Sequence, residues 1–67
     1  MNAADLRTHL TMLTAERFDA VELGLAGNTM YMAELEEEIA EARHAYVLSA
    51  VTELAMLRSQ LTGAEVG

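Results

Sequence analysis

Glu41 and His44 stand three residues apart and give the sharpest chemical signal in the chain. Residues at that spacing share a helix face. In carboxylate-bridged di-iron and di-manganese bundles, a Glu-x-x-His on one helix meets a lone Glu on its neighbour, and symmetry doubles the set. Glu16 is the candidate lone carboxylate, because it lies nearly as far before the central turn as Glu41 lies after it. Rotation argues the other way. At about 100° per residue, Glu41 falls almost opposite the stripe Met32, Leu35, Ile39, and His44 also points well away from it. Ligands of a bundle core project inward, whereas these project outward. The expectation is no metal and no cofactor, with Glu16, Glu41 and His44 as the residues to check.

Other chemistry is weaker still. His9 lies alone near an apolar stripe, and Ser49 or Ser59 has no third group in fixed relation to complete a nucleophilic site. Phosphate loops, zinc spacings and calcium loops are missing from the sequence, and no enzymatic activity is expected. Arg17 and Arg43 both fall on otherwise apolar stripes. Arg17 is expected to meet Glu36 or Glu38 across the hairpin, and Arg43 to meet Glu36 or Glu16. Inward charges of this kind fix register more than they add stability.

The feature most suggestive of recognition is acidic. Glu34, Glu37, Glu38 and Glu41 crowd one stretch, and Glu34 with Glu38 and Glu37 with Glu41 are like-charge pairs at i, i+4. Each such pair costs a few tenths of a kcal/mol in an isolated helix. These four residues are the candidate contact for a partner with a basic surface; the competing reading is a solvated face that maintains solubility. With eleven Asp and Glu against four Arg and no Lys, the net charge is −7. That balance argues against nucleic acid as a partner, since phosphates are bound by cations.

The elements that must carry these residues are helices. The chain has no proline, and its four glycines leave the stretch between Gly27 and Gly63 uninterrupted. Ala, Leu, Glu, Met and Arg dominate that stretch. Asn2 can cap a first helix, with Asp5 in the reciprocal position. Leu6, Leu10 and Leu13 then recur at helical spacing, continued with a small displacement by Phe18, Val21 and Leu25. Thr14 is an alternative helix start, but one continuous helix over about residues 3–26 is preferred. Gly27 is expected to end it in a left-handed conformation, with Asn28 or Thr29 capping the next. The second helix should run over about residues 30–61, on the stripe Met32, Leu35, Ile39, Ala42, Tyr46, Ala50, Leu54, Leu57, Leu61. Met30 and Tyr31 are expected to close the end of the bundle beside the turn.

These expectations make residues 1–67 a single all-α domain, an antiparallel helical hairpin. Folding about Gly27 and Asn28 brings Leu54 level with the start of helix 1, so the residues beyond about 55 overhang. Residues 45–57 are apolar around much of the helix, which calls for burial on more than one side. Cysteine is absent, so disulfides cannot supplement the small core of a chain this short. Dimerisation into a four-helix bundle is the expected remedy, through Val47, Leu48, Val51, Leu54, Met56, Leu57 and Leu61. No membrane span is expected, because the most apolar window is short and holds Glu53. Met1–Leu10 lacks the pattern of a secretory signal, and the expected location is cytoplasmic. The function expected is a non-enzymatic, homo-oligomeric interaction module, an adaptor or inhibitor of a basic protein surface. The alternative is an assembly subunit that acts only by oligomerising.

Overall fold

The computed structural model describes the backbone of residues 1–66 and the side chains of residues 1–62. It is an antiparallel helical hairpin: α1 covers Ala3–Glu22, a 3-10 turn covers Leu25–Gly27, and α2 covers Thr29–Val66. At 60 × 16 × 13 Å it is a single layer of two helices. No helix among the described residues is long and apolar enough to cross a membrane.

Both helices start on an asparagine. Asn2 accepts the backbone N–H of Asp5 at 2.8 Å, and Asn28 accepts that of Tyr31 at 3.1 Å. Such a cap satisfies one of the orphan donors of a first turn and contributes about 1 kcal/mol. Thr14 does not open a new helix. Its hydroxyl donates to the Leu10 carbonyl at 2.8 Å, so the side chain that could have capped is bonded backward along one continuous helix.

The turn differs from the sequence reading. α1 stops at Glu22, not near residue 26, and the left-handed residue is Gly24, with φ of 82°, not Gly27. Leu23 N–H still reaches the Asp19 carbonyl, and Gly24 N–H bonds Val21 at 3.1 Å, one of the bonds that close a glycine C-terminus. The physical reason is the order of the glycines: Gly24 comes first, and its left-handed backbone ends the helical ladder there. Ending at Glu22 frees residues 23–28 for the crossing. α2 also runs past the expected end near residue 61, to Val66. An internal glycine such as Gly63 costs a helix about 1 kcal/mol without stopping it.

The seam between the helices is narrow. Leu13, Leu35, Ile39 and Ala42 are buried together, with Leu10 and Tyr31 packed against them, and Ala20 is buried nearer the turn. On α1 this seam is Leu6, Leu10, Leu13, Arg17, Ala20, a run of steps 4, 3, 4, 3. Phe18 and Val21 do not continue it, as the sequence suggested. They lie 64% and 45% exposed, and Leu25 is also exposed. Arg17 takes the seam position and pairs with Glu36 of α2, while the small Ala20 lets the helices close beyond it. Arg43 therefore does not pair with Glu36 or Glu16: Arg17 engages the first, and Tyr31 bonds the second. Met30 does not close the bundle end either, being 73% exposed.

Two substitutions separate the roles of the turn glycines. Gly24→Ala should lose about 1–2 kcal/mol in urea unfolding, the cost of a left-handed backbone with a Cβ. Gly27→Ala should stay within a few tenths, because its φ is not positive and an added Cβ meets nothing within 4 Å.

Candidate functional site

Two polar contacts mark the two flanks of the hairpin. On one, the Tyr31 hydroxyl donates to Glu16 Oε1 at 3.2 Å across the seam. On the other, the Arg17 guanidinium meets Glu36. At about 100° per residue, Asp5, Glu34, Glu38 and Glu41 fall on the Tyr31 flank with Glu16. Arg7 and Arg43 fall on the Arg17 flank. Glu37 lies at the outer edge of α2, between the flanks. Glu34, Glu37, Glu38 and Glu41 are all exposed. Charge is thus sorted by face and not merely by stretch of sequence.

The acidic flank perturbs its one phenol. Partial burial, the bond to Glu16, and the charges of Glu16 and Glu38 hold the Tyr31 hydroxyl above the ordinary tyrosine value. The candidate metal residues do not assemble on this flank. Glu41 and His44 are exposed on α2, Glu16 is bonded to Tyr31, and no group of three or more acidic, His or Cys side chains among the described residues could hold an ion. His9 is likewise exposed.

The Arg17 flank is the apolar one. By the same rotation it carries Val21 and Phe18 of α1, with Val47, Leu54, Leu57 and Leu61 of α2. Its α2 members continue past the end of α1 as a bare rod. The start of α1 is fixed by Glu53, whose Oε2 accepts the Ala3 N–H at 2.7 Å and the Ser49 hydroxyl at 3.2 Å. Residues 54–66 overhang. Leu54 is 66% exposed and Leu61 62%, and Leu48, Val51 and Met56 are more than half exposed around the same rod. Val51, Leu54, Leu57, Arg58 and Leu61 line an open groove along it.

No family model, curated protein or solved structure matches this chain. The arrangement has to be read from its own chemistry. What it offers is surface: an acidic flank, an apolar flank and an apolar overhang.

Four participants escaped the sequence reading. Phe18 and Val21 were assigned to the seam, although the 4, 3, 4, 3 run through Arg17 and Ala20 was present to exclude them. Glu53 was seen only as a charge that interrupts an apolar window, whereas it caps α1 from the opposite helix. Tyr31 was expected at the bundle end, and it in fact bridges the helices to Glu16.

The Tyr31 contact has a definite pH signature. A phenol held above its ordinary value stabilises fully below the ordinary tyrosine range, and the contribution is lost as pH rises through the raised value. Ultraviolet titration in a Tyr46→Phe background should show the raised midpoint, and Glu16→Gln should return it toward the ordinary one. An unchanged midpoint in the Gln variant would remove Glu16 from the account.

Proposed function

We propose that this protein is a non-enzymatic protein–protein interaction module. It works as a homo-oligomer joined through the apolar flank and overhang, and it presents the acidic flank to a partner with a basic surface. The observation that carries this reading is the exposure of Val47, Val51, Leu54, Leu57 and Leu61 on a helix that α1 covers on one side only. Isolated exposed apolar residues are ordinary, but a contiguous apolar stretch marks an interaction surface. The core supports the same reading. Its buried members are Leu13, Ala20, Leu35, Ile39 and Ala42, two of them alanine, and a core that small rarely holds a chain of this length without an addition. With no cysteine to cross-link it, association is the addition that remains from the protein's own side chains.

The sorting of charge by face favours a division of labour. The arginines near the apolar flank can be satisfied within an assembly, while Glu34, Glu38 and Glu41 stay outward, where their mutual repulsion is relieved by a cationic partner. Glu37, at the edge of α2, borders both surfaces.

Association makes unfolding depend on concentration. The thermal midpoint should rise with protein concentration, and Leu54→Glu should lower it and abolish that dependence. Lysine at Glu34, Glu38 and Glu41 together should leave the midpoint's concentration dependence intact and abolish capture of a basic target from lysate. A midpoint independent of concentration and indifferent to Leu54→Glu would contradict the reading.

A further inference from the structure

α2 bears a second seam that α1 does not use. Ala33, Ala40, Val47, Leu54 and Leu61 recur at intervals of seven residues, and all five are exposed. A seven-residue repeat is the one that keeps a stripe against a partner helix along its whole length. This stripe is also graded. Alanines occupy its first half, leucines its second, and valine its middle.

The grading selects an orientation. Two parallel copies would set alanine against alanine and leucine against leucine, gaping at one end and crowding at the other. Antiparallel copies related by a two-fold axis at Val47 set Ala33 against Leu61 and Ala40 against Leu54, so large meets small on either side of the axis and valine meets valine on it. The outer rim agrees. In the same register Glu37 lies beside Arg58 of the second copy, whereas parallel pairing sets Glu37 against Glu37. Arg43 falls opposite Ala50, which leaves room for its stem to turn outward.

We infer that the second copy docks antiparallel along this seam, with its overhang laid on the outer face of the first half of α2 and the two-fold axis at Val47. The inference rests on the self-association proposed above and adds its register. Leu48 and Met56 fall on the other side of α2 and take no part.

The absence of native cysteine allows proximity to be read from single substitutions. On mild oxidation, Val47→Cys should form a disulfide-linked dimer. Ala33→Cys mixed with Leu61→Cys should give the mixed dimer, with neither variant cross-linking to itself. Glu37→Arg should weaken dimerisation roughly threefold to tenfold, on the scale of a rim ion pair, and Arg58→Glu in the same chain should restore it. Met56→Glu should leave the dimer intact. Self-cross-linking of Leu61→Cys, or none with Val47→Cys, in a protein that is still dimeric by light scattering overturns the register and leaves self-association standing. A monomer at every concentration overturns both.

Discussion

A layer of two helices can bury only the stripe along which they touch. Each helix has a circumference of 360° and one neighbour, so an apolar surface wider than a single seam stays in water whatever the turn and caps do. This chain has such a surface. Its buried residues form one short seam from Leu13 and Ala20 to Leu35, Ile39 and Ala42, while Phe18 and the leucines beyond Glu53 lie outside it. Burial of apolar area is the dominant favourable term in folding. The uncovered flank is therefore the feature on which both the stability of the hairpin and its proposed role depend.

What the polar contacts add is alignment. Glu53 at the Ala3 N–H ties α1 to α2 at its start, and Arg17 with Glu36 and Tyr31 with Glu16 tie it on opposite flanks at one level nearer the turn. Arg17 and Glu36 are each about half exposed, and a pair in that setting contributes roughly 0–1 kcal/mol. Their value lies in excluding a slipped pairing, because moving α1 by one turn separates all three contacts together. A fixed register is also what sets the overhang at a definite length.

Much of the fold was legible in the sequence because it rests on local rules. Asn2 and Asn28 are capping residues, the stretch after Gly27 lacks any breaker, and Leu35, Ile39 and Ala42 sit at helical spacing. The position of the overhang also followed, from simple counting outward from the turn. The end of α1 was misplaced because two glycines, Gly24 and Gly27, were both suited to a left-handed turn, and the first of them takes it. Phe18 and Val21 were misassigned because hydrophobicity was given more weight than spacing. A charged residue on a strict 4, 3, 4, 3 run proved a better guide to the seam than a larger apolar residue beside it. The candidate site was legible in part: the acidic residues and the apolar second half of α2 were visible, but their sorting onto opposite flanks required α1 to be placed first.

The claim that organises this account is that one hairpin is half of a closed assembly. Light scattering of the unmodified protein, followed through a dilution series with helicity recorded on the same samples, tests it most directly. The account predicts twice the monomer mass over the upper range, with helicity falling as dilution splits the pair. A monomer mass throughout, with helicity undiminished, would show that the two-helix layer stands alone and would contradict the claim.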